Sequence, residues 1–275
     1  MAKIAKLGEV NCVAEYICLI KNLYDGKLNF PMIESHRYLF FRGQCDATWT
    51  LKPSLFREGN DCERDILLDI KQFSPILNLK YDFIIDLPQV LIDLQHAGVP
   101  TRVLDWTVEP LTALFFAAKG FDCKCNYGKV WVLNPWEYNK FLRYKTAHVQ
   151  SHDINILARA MLAYGWKIDE IKKILKEQFN YDTRVIKEFT RPMAFVGVFT
   201  NDRKNAQHGC FTIFGEKKEA FEEFCKNGEL AYFVVNNQKE ILSDLNKLYI
   251  NDFSLFPDFY GVKEQIRKYK SLFKF

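Results

Sequence analysis

Gln95-His96-Ala97-Gly98-Val99-Pro100-Thr101-Arg102-Val103-Leu104-Asp105-Trp106-Thr107, continued by Val108-Glu109-Pro110-Leu111-Thr112-Ala113-Leu114-Phe115-Phe116-Ala117, is the stretch on which the reading of this chain turns. Residues 101–106 lie between Pro100 and Pro110. Proline disfavours helix in the residue before it, and the segment is short, so it reads as a strand or extended loop. Pro110 suits the first turn of a helix, and Leu111, Leu114, Phe115 and Ala118 continue it at helical spacing. Upstream, residues 88–94 read as a helix that runs into the polar Gln95-His96-Ala97-Gly98.

Working outward, Val13, Ile17, Ile20 and Leu23 predict an amphipathic helix over residues 10–24, with Asn11 as its cap. Tyr38-Leu39-Phe40-Phe41 reads as a buried strand that empties into a tight turn at Arg42-Gly43, which puts Arg42 at a strand end. Residues 61–79 open on Asp61 and read as a helix broken near Pro75. Gly128-Lys129-Val130-Trp131-Val132-Leu133 looks like a central strand closed by Asn134-Pro135. Over residues 136–185 strand character disappears and apolar residues such as Ile154, Leu157 and Met161 recur at helical spacing. Strands return at residues 194–199, 210–214 and 230–235, and the tail from Lys239 holds one helix, a Phe256-Pro257-Asp258 turn and a closing basic helix. The expected fold class is α+β, a mixed central sheet of short strands with a helical insert and flanking helices. The expected parts are an N-terminal helical segment (1–35), a first core part (36–135), the insert (136–190), a second core part (191–262) and the C-terminal helix (263–275).

The chain has 275 residues, of which 48% are hydrophobic and 26% charged, with 24 Phe and 13 Tyr to fill a core. That is a globular composition. A formal net charge of +4 is milder than the footprint of a dedicated duplex-DNA binder, so nucleic acid is allowed and not demanded. No stretch approaches the roughly 18 apolar residues of a membrane span, and the first residues do not read as a secretory signal, so the expected location is the cytoplasm with no membrane partner. The eight cysteines are scattered, which favours reduced and mostly buried thiols. Cys123 and Cys125 with His148 and His152 match no standard zinc spacing, and no metal site is expected.

The candidate chemistry collects in three places. Arg42 offers a planar fork of donors suited to phosphate or carboxylate, Gly43 allows backbone to approach a ligand, and Gln44 adds a neutral donor and acceptor. Arg42 is equally open to a structural pairing with Asp46 or Asp105. In residues 95–107 the concentration of hydrogen-bonding groups between apolar helices calls for partners or a ligand. His96 reads as a base or a core histidine, Arg102 and Asp105 as ligand contacts or as a pair with each other, and Trp106 as core or stacking platform. The third place is residues 207–211.

These pieces together resemble the FRG domain, named for its Phe-Arg-Gly motif. The match rests on Tyr38-Leu39-Phe40-Phe41-Arg42-Gly43-Gln44, on residues 95–107 and Pro110-Leu111-x-Ala113-Leu114-Phe115-Phe116-Ala117, and on Asn205-Ala206-Gln207-His208-Gly209-Cys210-Phe211 and Leu255-Phe256-Pro257-Asp258, in that order and over roughly residues 36–262. The long helical stretch between Asn134 and Arg191 departs from the family pattern. A more distant resemblance, in the order of an Arg, a Ser/Thr-bearing strand and a late polar residue, is to mono-ADP-ribosyltransferases.

That second resemblance implies NAD as co-substrate and an ADP-ribosyltransferase-like fold. Arg42 would hold a phosphate or ribose, Thr101 or Thr107 would support the nicotinamide ribose, and Trp106 would stack on nicotinamide, with Gly43, Gln44, Gln95, His96 and Arg102 completing the binding set. Catalysis would fall to Arg42, Gln207, Thr107 and Asp105. Cleavage of the glycosidic bond develops an oxocarbenium-like cation that a carboxylate stabilises. Here the sequence departs from the pattern, because the late strand offers the uncharged Gln207, with Glu216 the nearest downstream acid; either another acid such as Asp105 or Glu109 converges on the site, or activity is weak, or the fold binds without catalysis. The family context implies a toxin-like effector in bacterial or phage defence, an antitoxin or inhibitor partner, and a macromolecular acceptor that is RNA, DNA or protein, with Lys263, Arg267, Lys268 and Lys270 as a nucleic-acid face or a plain solvated one. The alternatives are a non-catalytic nucleotide- or phosphate-binding module and, with less support, a nuclease.

Overall fold

The computed structural model describes residues 4–31, 39–57, 63–73, 87–120, 127–141, 169, 172–173, 176–177, 190–196, 207–258, 261–263 and 266. Among them, seven strands form one sheet: β1 (Ala5–Val10), β2 (Phe40–Gln44), β3 (Val103–Thr107), β4 (Gly128–Leu133), β5 (Met193–Phe195), β6 (Gly209–Ile213) and β7 (Leu230–Val235). Their order across the sheet is β1-β7-β4-β2-β3-β6-β5. β1 runs parallel to β7 and every other neighbouring pair is antiparallel. The sheet is therefore mixed and short-stranded, as expected, and the chain is α+β.

Helices pack on both faces of the sheet. On one face α1 (Val13–Tyr24), α5 (Pro110–Ala118), α7 (Gln238–Lys247) and α8 (Asp252–Leu255) cover a core containing Phe41, Val130, Val132, Phe233, Tyr16, Phe115 and Ile241. The opposite face carries Phe40, Trp131, Leu104 and Trp106, covered by α2 (Ser54–Arg57), α6 (Pro135–Tyr138) and a 3-10 turn at Phe221–Glu223. Two further helices, α3 (Glu63–Phe73) and α4 (Leu87–His96), precede β3. Phe40 and Phe41 go to opposite cores because successive strand side chains alternate.

α5 lies so close to the sheet that two of its underlying positions have no room for a side chain. A Cβ on Gly43 would sit 2.0 Å from the Ala113 carbonyl oxygen and 2.5 Å from the Ala117 nitrogen, and one on Gly128 would sit 2.4 Å from the Ala117 carbonyl. The expected reason for Gly43 was approach to a ligand. The nearer constraint is helix-on-sheet packing.

Several expectations need correction. Arg42 and Gly43 are not in a turn at a strand end: β2 continues through Gln44, paired along its length with β4. Asn11 is not the α1 cap, a position held by Cys12 with no side-chain cap bond. The Asn11 backbone N–H and side-chain amide both donate to Glu15 instead, at 2.9 and 3.0 Å. β1 was unforeseen, since its partner is more than 220 residues away, Ala5 opposite Ala231, and its own apolar pattern is thin. α8 was also unforeseen, a single turn fixed by a reciprocal cap between Asn251 and Ser254. Asp61, Tyr38, the apolar run through Ile154, Leu157 and Met161, residues 197–199, Cys123, Cys125, His148, His152, and Arg267, Lys268 and Lys270 of the closing helix lie outside the described residues. No helix among the described residues is long and apolar enough to cross a membrane.

Candidate functional site

The middle of the sheet contains a seam. β2 is matched to β4 at every residue from Phe40 to Gln44, but to β3 at the single pair Phe41 and Thr107. A backbone carbonyl left without a ladder partner inside a protein needs another donor. For Asp105 that donor is a side chain: Arg42 Nη1 donates to its carbonyl oxygen. The seam opens into a cavity of about 260 Å³ whose polar wall is Arg42, Gly43, Gln95, Asp105, Thr107 and Gln207, and whose other wall is Phe41, Thr112, Phe116 and Phe256, with Trp106 also bordering it.

Two buried polar atoms on the polar wall lack any hydrogen-bond partner, Arg42 Nε and Asp105 Oδ1. Burial lowers the Arg42 pKa, Asp105 opposes that by its charge, and Arg57 adds to it. Arginine's ordinary value is so high that the guanidinium stays charged. The site therefore presents a buried cation and a carboxylate, each with one unused hydrogen-bonding atom. Buried polar atoms without partners are uncommon and costly, so a cavity lined by two residues that carry them is where a ligand is expected.

Asp105 is held by a short chain of hydrogen bonds. The Thr101 hydroxyl donates to Gln95 Oε1 at 2.6 Å, which turns the other end of that amide, Nε2, toward Asp105 Oδ2 at 2.5 Å. One carboxylate oxygen is thus occupied while Oδ1 is left buried and without a partner. Gln95 reaches β3 because Gly98, at φ +88°, ends α4 and turns the chain. The bonds from the Gly98 N–H to the Gln95 carbonyl and from the Val99 N–H to the Leu94 carbonyl close that turn.

On the far side, the Thr107 hydroxyl donates to the Gln207 carbonyl at 2.6 Å and accepts the Glu109 N–H at 3.0 Å. The Gln207 side chain donates to the Leu255 carbonyl at 2.9 Å, tying the segment before β6 to α8 and the Phe256 turn. Gln207 lies two residues ahead of β6 and not on the strand. Phe256 meets Phe116 edge to face, with centroids 5.9 Å apart. Thr112 donates to Glu109 Oε2 at 2.9 Å, and His208 Nδ1 lies 3.0 Å from Glu109 Oε1.

The fold thus brings together Arg42, Gly43, Gln95, Asp105, Thr107 and Gln207. It does not bring in Arg102, Gln44 or Thr101, and Trp106 only borders the cavity. Arg102 is committed to Glu63, through Nε at 2.7 and 2.9 Å and through Nη2, and to the carbonyls of Phe214 and Gly215 at 3.1 and 3.0 Å. It is a buried structural arginine, and its partner is Glu63, not Asp105. Gln44 accepts from Trp131 Nε1 at 2.7 Å and donates to the Thr50 carbonyl at 3.3 Å, away from the cavity. The Trp106 indole donates to Thr212 at 3.1 Å and packs edge-on against Phe221 in the core, so its ring is not a stacking platform. Thr101 acts through Gln95 and does not border the cavity. The His96 side chain lies outside the described residues. Among the described residues no group of three or more His, Cys, Asp and Glu converges as a metal site would require.

Thr112, Phe116 and Phe256 border the cavity without having been singled out for it. Thr112 and Phe116 lie on α5 outside the stripe of Leu111, Leu114, Phe115 and Ala118 that helical spacing marks. Phe256 carried a usable signal, since Leu255-Phe256-Pro257-Asp258 was already one of the ordered motifs.

Against known proteins, the family model of the FRG domain matches residues 37–123. No curated protein and no solved structure matches the chain. The matched span contains β2, β3, α4 and α5, and with them Arg42, Gln95 and Asp105.

Proposed function

From the premise that this chain is an FRG-domain protein, we propose that the seam pocket binds NAD and that the protein is an ADP-ribosyltransferase acting on a macromolecular acceptor. The observation that carries the proposal is that two residues lining one cavity each carry a buried atom without a partner, Arg42 Nε and Asp105 Oδ1. A guanidinium N–H seeks a hydroxyl, phosphate or carbonyl oxygen, and a carboxylate oxygen seeks a hydroxyl or a developing positive charge. A ribose with an adjoining phosphate offers both kinds of partner. At about 260 Å³ the cavity suits one sugar and its ring, with the rest of a dinucleotide outside it.

NAD supplies an activated ribosyl group, whose bond to nicotinamide leaves positive charge on the ribose carbon as it breaks. The residues of this chain would answer that charge. Asp105, with Oδ2 pinned by Gln95 and Oδ1 left without a partner, sets a fixed carboxylate in the cavity wall, the kind of preorganised stabiliser that lowers such a barrier. It would take the part that the uncharged Gln207 cannot. Arg42 orients the ligand, and Phe116 and Phe256 give an apolar side to receive its ring and keep water out. An ADP-ribosyltransferase-like fold, a role as a toxin-like effector with an inhibitor partner, and a nucleic-acid acceptor belong to this same reading.

A second reading has its own observation: Gln207 carries no charge and Arg42 is already tied to the Asp105 carbonyl. This favours a module that captures a nucleotide without turning it over. Transfer of labelled ADP-ribose from NAD to separated RNA, DNA and protein fractions, with wild type, Arg42→Ala and Asp105→Asn, decides between them. Label transferred by wild type, with Asp105→Asn still binding NAD but transferring none, supports the enzyme. NAD-dependent thermal stabilisation with no nicotinamide release supports the binding module.

A further inference from the structure

A histidine and a carboxylate meet beside three residues that line the same pocket, Thr107, Thr112 and Gln207. His208 Nδ1 is 3.0 Å from Glu109 Oε1, and both side chains are near half exposed. An exposed pair like this is ordinarily worth little. Three features set it apart. Glu109 is itself oriented from the cavity side, because the pocket-lining Thr112 donates to its other oxygen, Oε2. The two backbones are joined through one hydroxyl, since Thr107 Oγ1 accepts the Glu109 N–H and donates to the carbonyl of Gln207, the residue before His208. And His208 holds a left-handed backbone, φ 42°, a conformation that side-chain-bearing residues take at a cost and that recurs at working sites. The surroundings therefore hold this imidazole and its carboxylate next to the pocket-lining Thr107, Thr112 and Gln207.

A carboxylate on Nδ1 fixes that nitrogen as the one carrying hydrogen and leaves Nε2 as a bare base. We propose that His208 is the general base that accepts the acceptor's proton during transfer, with Glu109 as its positioning residue. The assignment rests on the transferase reading above. In the step, the bond between the ribose anomeric carbon and the nicotinamide ring nitrogen breaks, and its electron pair goes to nitrogen. The acceptor's lone pair forms the new bond to that carbon, and its O–H or N–H proton passes to His208 Nε2. The resulting imidazolium is stabilised by Glu109 and later gives its proton to water. The nucleophile this serves is an uncharged hydroxyl or amine, which needs a base; an anionic nucleophile without a proton does not.

That difference makes the test. Purified wild type, His208→Gln and Glu109→Gln are given NAD with water and methanol as O–H acceptors, then with sodium azide. His208→Gln is expected to form ADP-ribose and methyl ADP-riboside about 100-fold more slowly, the usual scale of base catalysis, with KM for NAD unchanged and with azide restoring turnover as ADP-ribosyl azide. Glu109→Gln should show a smaller loss of the same kind. Nitrogen-15 spectra of the ligand-free protein should place the His208 hydrogen on Nδ1, and Glu109→Gln should release that preference. Wild-type rates in His208→Gln, a loss that azide does not restore, or an Nε2–H tautomer in the ligand-free protein would each overturn the assignment. If wild type itself neither binds nor cleaves NAD, the transferase reading fails and this base role falls with it, an outcome distinct from all of those.

Discussion

Replacing Arg102 by methionine removes a buried charge while keeping an unbranched stem, and it separates a structural arginine from a ligand-binding one. Arg102 is 5% exposed and Glu63 4% exposed. The substitution leaves the Glu63 carboxylate buried without its countercharge, and the carbonyls of Phe214 and Gly215 without the donor Nη1. Breaking a buried pair from one side costs about 3–5 kcal/mol, because the remaining charge keeps its desolvation penalty. Two carbonyls that lose a donor push the figure toward the upper end. For a chain of this size about 1 kcal/mol moves Tm by about 2–4 °C, so the drop is about 6–20 °C. Urea and thermal unfolding followed by circular dichroism measure it. Arg102→Met with Glu63→Gln should recover part of the loss, since no lone charge then remains. NAD affinity, measured by calorimetry at a temperature where both proteins are folded, should be unchanged. Stability within about 0.5 kcal/mol of wild type, the range of an ordinary surface change, together with lost affinity, would refute the reasoning and return Arg102 to the pocket.

Gly43→Ala should destabilise by about 1–3 kcal/mol or more, the scale of overpacking, because its Cβ meets the α5 backbone; an alanine variant of full stability but lost ligand binding in the same unfolding and calorimetry assays would restore the ligand-approach explanation. Trp106→Phe removes the bond to the buried Thr212 hydroxyl and part of a core ring, so chemical denaturation should show a loss of about 1–3 kcal/mol, and NAD affinity should hold if the ring is core and not a platform. Burial raises the Glu222 pKa above 4.5, against the opposing bonds from its own backbone and the Leu51 N–H and the charge of Lys129. A raised folded-state value gives stability that is full below the ordinary carboxylate range and is lost as pH rises through the raised value. Denaturation midpoints of Glu222→Gln and wild type should therefore converge in acid and separate in the variant's favour as pH rises, and parallel curves would contradict this.

Local pattern was enough to read much of this fold. Pro100 and Pro110 bracket β3, Pro110 opens α5, and the apolar runs at residues 128–133 and 230–235 became β4 and β7, because each of these signals is carried by neighbours in the chain. β1 was missed for the opposite reason: a six-residue strand with one fully buried side chain is defined by its distant partner and not by its own sequence.

The site divides in the same way. By itself the sequence marked which residues are unusual to find among apolar helices, since hydrogen-bonding groups in such company need partners, and it put Arg42, Gln95, Asp105, Thr107 and Gln207 among them. Where those groups point was decided by tertiary structure alone. Strand alternation sends Trp106 into the core while its neighbours Asp105 and Thr107 face the cavity, and Glu63, 39 residues upstream, claims Arg102. Register leaves β2 and β3 matched at a single pair, so Arg42 caps a carbonyl in the middle of a sheet where a turn was expected. Composition and spacing carry the chemistry of each side chain, but a cavity exists only where distant strands fail to meet, and that depends on packing no local segment encodes.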